Sequence, residues 1–349
     1  MTTNVMVKYG VFVPLYNIDV SEEILDTKIF DDYVIISSKN LTERYGEYLI
    51  RGERFYEQLL QDITERHPQK SIFYPTAKYI LCAEFEQEDD DTLYRNKLLI
   101  SKMQISNILL AMRLTGKGFC QVNNGYYLAF GHASCLQYKG SSQLPNIERA
   151  HRTALGSLIV EDEYTLDKAA LDKVSNVYQM LQSIPKRELL VPITYFHKYY
   201  DSLTPYDRIL QLAIVLESTL LAGHTDELNY RLSLRSSALL NRDVTEILKL
   251  FYSVRSHIVH NGYIGENKGY KSIFKQLKNL VNIHKDDETE LLYYFVTDHV
   301  EPIIREILYK SFLLFAEGKV KDYDDLNKKL DSFILKQITK DNFEVNNAE

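Results

Sequence analysis

The stretch RSHIVHNG, residues 255 to 262, gathers an arginine, two histidines and an asparagine within eight positions. It directly follows the apolar-patterned run VTEILKLFYSV. A histidine in the last turn of a helix has its protonated form favoured by the helix dipole, which keeps it in the range where it can both donate and accept a proton. Acid–base chemistry by His260 is therefore one use of the cluster. The other is purely structural, with Arg255 and the histidines capping the last carbonyls of a helix.

The elements that must position these residues can be read around them. Ile247, Leu248, Phe251, Val254 and Ile258 recur at helical spacing, Asp243 or Thr245 can start the helix, and Asn261-Gly262 is a stop signal. Arg255, His257 and His260 thus fall in its final turns. Five residues at about 100° each leave Arg255 and His260 about 140° apart on an ideal helix. They converge only if the last turn distorts or a second subunit brings its own copies to the same cleft.

Two helices are expected upstream. TPYDRILQLAIVLESTLLAG has Thr204 as N-cap, Pro205 at the first helical position, Asp207 completing an imperfect capping box and Gly223 closing it. Glu217 falls inside its apolar interior, where a lone carboxylate would be costly, so a positive partner is expected from another helix. The next helix, DELNYRLSLRSSALLN, offers Arg231 and Arg235, one turn apart on one face. Either can supply that partner.

At 349 residues and 45% hydrophobic content, the chain can bury a sizeable core and is expected to form two domains. No stretch approaches the roughly 20 uncharged apolar residues of a membrane span, and MTTNVMVKYG lacks the layout of a leader peptide, so the expected compartment is the cytoplasm, with no membrane partner. Cys82, Cys120 and Cys135 show no metal spacing and read as buried thiols. Net charge is −7, which argues against a general nucleic-acid coat. Residues 228 to 285, however, hold ten Lys/Arg against three Asp/Glu, a local +7. The RSHIVHNG cluster lies in the basic part of an acidic protein, whether those charges form a patch or scatter around helix faces.

The architecture changes near residue 185. Before it, VMVKYGVFVPLY, DYVIIS, KYILCAEFE and GYYLAF read as strands, and TLYRNKLLISKMQISNILLAMRLTG and TLDKAALDKVSNVYQMLQSI as helices. After it nearly everything has helical period. The expected fold class is α+β, with a mixed α/β domain at 1–185, an all-helical domain at 186–320, and a C-terminal helix with polar tail at 321–349.

Three consecutive segments carry a resemblance. ILQLAIVLESTLLAG, DELNYRLSLRSSALL and ILKLFYSVRSHIVHNG follow, in order, the helix patterns of the Apea-like HEPN family, matching it through Leu216-Glu217, Glu227-Leu228, Arg231, Arg235, Tyr252, Arg255-Ser256, Ile258-Val259 and His260. Arg255-x4-His260 resembles the R-x4-6-H motif of HEPN-fold nucleases and is the sole Arg-to-His pair here at that spacing. The resemblance spans about 190 to 320, including YKSIFKQLKNLVNIH and TDHVEPIIREILYKSFLLFAEG. Asn261 stands where the family usually has glycine directly after the histidine. The N-terminal half is covered only loosely, and no role carries over to it.

The resemblance implies a HEPN helical bundle and a metal-independent endoribonuclease without cofactor, acting on an RNA substrate as a homodimer that pools two Arg–His pairs. In that reading His260 is the base or acid, and Arg255 binds phosphate, since its fork of donors matches phosphate oxygens. Ser256 and Asn261 are supporting or RNA-binding candidates, with simple helix capping as their alternative. Glu217, Arg231 and Arg235 are further supporting candidates, with a structural ion pair as theirs. His257 reads as a packing or surface residue. The resemblance also implies antiphage defence or a toxin system, with an antitoxin or defence partner. A non-catalytic module binding RNA or a protein is the alternative.

Other chemistries find little in the sequence. RLTGKGF lacks phosphate-loop spacing, and no HExxH, paired CxxC or nucleophile-elbow pattern occurs. EQEDDD at 86–91 reads as a solvated loop entering a helix N-terminus. Tyr199-Tyr200 and Tyr293-Tyr294 can stack on bases, but packing between helices is the expected use.

Overall fold

Valine and aromatic residues dominate Met6–Tyr16, and this run forms the longest strand, β1, of an antiparallel sheet. The computed structural model describes residues 6–46, 57, 59, 60, 63, 77–88, 91–122, 124–129, 135–139, 150–152, 158–160, 162–184, 186–202, 204–221, 228–261, 268–281 and 287–345. The fold class is α+β, a sheet-bearing first part followed by helices. The chain divides into two compact units, Met1–Ala150 with Val160–Gln179, and His151–Ile159 with Met180–Glu349. No helix among the described residues is long and apolar enough to cross a membrane.

In the first unit, β2 (Ile18–Val20) follows β1, and β3 (Lys28–Phe30), β4 (Tyr33–Ser37) and β5 (Tyr79–Glu88) extend the sheet. With β6 (Gln121–Val122), β7 (Asn124–Ala129) and β8 (Cys135–Lys139), the order is β3-β4-β5-β1-β7-β8, and β6 pairs with the end of β1. All four strand readings are met within one or two residues at their ends.

Pro14 lies inside β1, a central strand, although proline has no N–H for the ladder. The pairing resolves this. On one side β1 pairs with β7 through Tyr9–Phe12 and with β6 through Leu15 and Tyr16, so Pro14 falls between the two.

Phe12, Val34, Ile36, Leu41, Tyr45, Leu59, Ile80, Cys82 and Tyr126 form a buried cluster in this unit, with Leu41 and Tyr45 on the short helix α1 (Leu41–Tyr45). Burial pushes the Cys82 thiol up to about 12, and Cys120 is also buried, with neither in a disulfide. The side chain of Cys135 lies outside the described set.

Helix α2 (Asp91–Thr115) ends where expected, with Gly116 N–H donating to the Met112 carbonyl. The acidic run is divided: Glu86–Glu88 finish β5, Asp91 opens α2, and residues 89 and 90 lie outside the described residues. The following helix corrects the sequence reading. Tyr164–Leu166 form a strand, β9, parallel to β2, and α3 begins only at Lys168 and runs to Ser183. Asp167 caps it, accepting from Ala170 N–H at 2.8 Å. Gly118, at φ +111, turns the chain where any Cβ would meet the Tyr164 backbone at 2.8 Å.

Most of the described residues of the second unit are helical: α4 (Lys186–Asp201), α5 (Pro205–Leu220), α6 (Leu228–Leu240), α7 (Thr245–Asn261), α8 (Lys268–Val281), α9 (Glu288–Tyr294), α10 (Glu301–Ala316) and α11 (Tyr323–Val345). α5 packs against α4, α6, α7 and α10, so its apolar face forms the centre of the unit. Its start follows the sequence: Thr204 Oγ1 accepts from Asp207 N–H at 3.1 Å, and Pro205 sits in the first turn. Gly223 lies outside the described residues.

A second correction concerns the helix expected from Thr297. The helical path starts at Glu288, capped by Asp287, and continues through a wider π-helical turn, Phe295–Val300, into α10. Pro302 explains the widened turn, because it has no N–H to continue a regular ladder and its ring crowds the preceding turn. The tyrosine pairs are packed rather than displayed: Tyr199, Tyr200 and Tyr293 are buried. Arg208, 1% exposed, lies 5.5 Å from the rings of both Tyr199 and Tyr293, and Tyr200 donates to Glu301 at 2.7 Å.

Candidate functional site

α7 is held by its apolar stripe: Leu248, Phe251, Val254 and Ile258 are all buried. Its start is fixed by Asp243, whose carboxylate accepts from Thr245 N–H at 2.9 Å and is held below its ordinary range by hydrogen bonds from Thr245. The preceding turn uses Asn241 in the left-handed conformation, φ +53, where asparagine is tolerated. The helix remains regular through Asn261. The last turn is therefore not distorted, and Arg255 and His260 keep their separation of about 140° around the axis.

The two residues have different surroundings. Arg255 turns inward toward α5, and its Nη2 lies 3.3 Å from Glu217 Oε1, with the two side chains 32% and 28% exposed. The same carboxylate oxygen accepts from the Tyr252 hydroxyl at 3.4 Å. Tyr252 is buried, and burial first, then the negative charge of Glu217, hold its phenol far above the ordinary range. Arg255 Nε is buried and makes no hydrogen bond among the described residues. His260 is exposed at the end of the helix, beside Val259 at 51% exposure. Ser256 and His257 are half-buried, and Asn261 is the last helical residue, its side chain outside the described set.

Glu217 is only half-buried, and the cationic partner expected for it comes from α7, not α6. Arg235 is committed elsewhere. It is 1% exposed, and its Nε and Nη2 donate to the two carboxylate oxygens of Asp331 on α11 at 2.8 and 2.7 Å, while Nη1 donates to the Leu220 carbonyl at 2.5 Å. It is a clamp between α6, α11 and the end of α5. That clamp also satisfies one of the carbonyls orphaned at the end of α5. Arg231 is half-buried on α6, with an Nε that makes no hydrogen bond among the described residues.

Of the seven sequence candidates, the fold thus brings Glu217 and Arg255 together, leaves His260 on another side of the same helix, and assigns Arg235 to scaffolding. Tyr252 is the participant that residue chemistry alone missed as a site group. Its signal was the three-residue spacing to Arg255, which puts both on one helical face. Asp331 carried no local signal, since it lies 96 residues from Arg235.

Chemically, the arrangement offers a guanidinium fixed in direction by a carboxylate, and an exposed imidazole five residues on, about 140° around the same helix. Among the described residues no group of His, Cys, Asp and Glu is arranged to hold a metal ion. Comparison of the chain with protein-family models, curated proteins and solved structures finds no match in any of the three.

Proposed function

We propose that the protein is a HEPN-type, metal-independent endoribonuclease whose working groups are Arg255 and His260. The observation that carries this reading is the contrast within the last turns of α7: Arg255 is oriented by Glu217, and His260 is open to solvent. An oriented cation and an accessible acid–base group are what in-line cleavage of RNA requires. The resemblance of the three helix segments to the Apea-like HEPN family supplies the reaction class.

In the proposed step, His260 takes the proton of a ribose 2′-hydroxyl and the 2′-oxygen attacks the adjacent phosphorus. Arg255 donates to the non-bridging oxygens as charge develops on the phosphorane. The bond to the 5′-oxygen breaks, and a protonated histidine gives that oxygen its proton. The products are a 2′,3′-cyclic phosphate and a 5′-hydroxyl. The angle of about 140° between the two residues favours a site assembled by two copies around a two-fold axis, each supplying one Arg–His pair. Ser256, Asn261 and Arg231 are the proposed neighbours for the RNA. We place the activity in the cytoplasm, in antiphage defence or a toxin system. The sheet-bearing first unit is the proposed sensing or substrate-binding part.

A second reading is favoured by one fact: Arg255 is engaged by Glu217 rather than by His260. In that reading the Glu217–Arg255 pair is structural and the protein is a non-catalytic module that binds RNA or a partner. One comparison separates the two. Purified wild type, His257→Ala and His260→Ala are incubated with total RNA in EDTA. The proposal predicts that His260→Ala lowers cleavage by at least ~10²-fold, the usual worth of a general acid or base, whereas His257→Ala retains it. Equal cleavage by His260→Ala and wild type overturns the assignment.

A further inference from the structure

The local +7 between residues 228 and 285 is not spread evenly once folded. α8, Lys268–Val281, contains four lysines and no acidic residue. At about 100° per residue, Lys271, Lys275 and Lys278 lie within about 60° of one another around the helix. Ile273 and Leu277 are buried on the opposite side, where α8 packs against α7 and α9. Lys271 and Lys275 are exposed, and Lys278 lies over the ring of Phe274, 4.9 Å from its centroid. The three lysines thus line one face of the helix over about 10.5 Å of helical rise, Lys271 and Lys275 exposed and Lys278 half-buried at its end.

We infer that this lysine row binds the phosphate backbone of single-stranded RNA. A protein with a net charge of −7 gains nothing in solubility from concentrating lysines on one face, so the row calls for an anionic partner. The regular axial spacing suits a repeating anion. Lysine is a flexible point charge, which fits contacts to a backbone and carries no base specificity. A straight row along one helix follows one strand. Bases on an unpaired strand stay accessible, and its backbone can rotate to bring a 2′-oxygen in line with the scissile bond. The choice of RNA as the polyanion rests on the ribonuclease reading, but the row itself does not.

The test uses the full chain carrying His260→Ala, so that RNA is not consumed, and a short unstructured labelled RNA titrated at salt concentrations between about 50 and 200 mM. Three single-strand phosphate contacts contribute about 2 to the slope of log K against log salt, and ~100-fold in affinity at 0.1 M. Replacing all three lysines by glutamine is expected to remove that slope and affinity, and replacing them by arginine to keep both. An unchanged slope in the glutamine variant overturns the inference, as does tighter binding of duplex than of single-stranded RNA, or binding of neither. Separate assays of cleavage by wild type distinguish the two claims. Cleavage with an unchanged slope rejects the lysine row alone. Loss of slope without any cleavage upholds the row and rejects the ribonuclease.

Discussion

Replacing Glu217 by glutamine removes one charge from the centre of the candidate site while keeping its shape. The carboxylate lies 3.3 Å from Arg255 Nη2 and accepts from Tyr252 at 3.4 Å. At that separation the gross attraction is about 5 kcal/mol for an effective dielectric of ~20. Both side chains are roughly a third exposed, so desolvation and screening offset most of it, leaving a net worth of about 1 kcal/mol. An amide oxygen can still accept from Tyr252, so the buried hydroxyl keeps a partner. Glu217→Gln should therefore lower stability by about 1 kcal/mol, a melting shift of about 2–4 °C for a unit of this size. Cleavage should fall further than the fold does, because a guanidinium released from its carboxylate loses its aim, and misplacement by about 1 Å can cost ~10²-fold. The assay is steady-state cleavage of a defined RNA beside a denaturant titration. A positioning role predicts kcat reduced by about 10- to 100-fold with KM little changed. Unchanged kcat in a folded variant, or loss only in proportion to the unfolded fraction, refutes the reasoning.

Other perturbations follow from the same geometry. Asp331→Ala leaves the Arg235 guanidinium buried with only the Leu220 carbonyl, at a cost of about 2–4 kcal/mol, whereas Arg235→Met costs less because Asp331, 41% exposed, regains water; denaturant midpoints should rank them in that order. Glu301→Ala should be among the most damaging changes, about 3–5 kcal/mol, because the partly buried Arg305 is paired with it and buried Tyr200 donates to it. Acid titration should reveal Glu84 and Glu306. Burial raises both, but Lys8 at 2.6 Å outweighs it for Glu84, and Arg242 and Lys310 outweigh it for Glu306, so each sits below the ordinary 4.5. A depressed folded value means that the stabilisation is fully present above 4.5 and is lost as pH falls through the folded value. A Lys8→Gln, Arg242→Gln variant should therefore lose less stability on acidification than wild type, as read by melting temperature against pH.

Much of the second unit was legible because its cues are local. Thr204, Pro205 and Asp207 specify the start of α5 within four residues, and the apolar spacing from Leu248 to Ile258 specifies the buried face of α7. The strands were legible for the same reason, since their β-branched runs are bounded by turn residues. Where the reading differed, tertiary partners decided. Thr165 and Leu166 are held as strand by pairing with Asp19 and Val20, and Asp167 caps the helix only after them. The helical path from Glu288 to Ala316 survives Pro302 because the widened turn absorbs it within a packed core. The candidate site was half legible. A carboxylate within the apolar stretch of α5 calls for a cation, but which arginine supplies it depends on how α5, α6 and α7 cross, and Arg235 is drawn away by a carboxylate that only the folding of α11 brings near. The Arg255–His260 spacing is visible in the sequence, while the regularity of the last turn, which keeps the two apart in one chain, is a property of the folded helix.

The central claim is that the end of α7 cleaves RNA through the ribose 2′-hydroxyl, and the most direct measurement is the chemistry of the ends. Total RNA incubated with wild type in EDTA should acquire fragments ending in 2′,3′-cyclic phosphate and beginning with 5′-hydroxyl, and neither should arise with folded Arg255→Ala or His260→Ala. Fragments with other termini, or the same fragments from the histidine variant, would contradict the account.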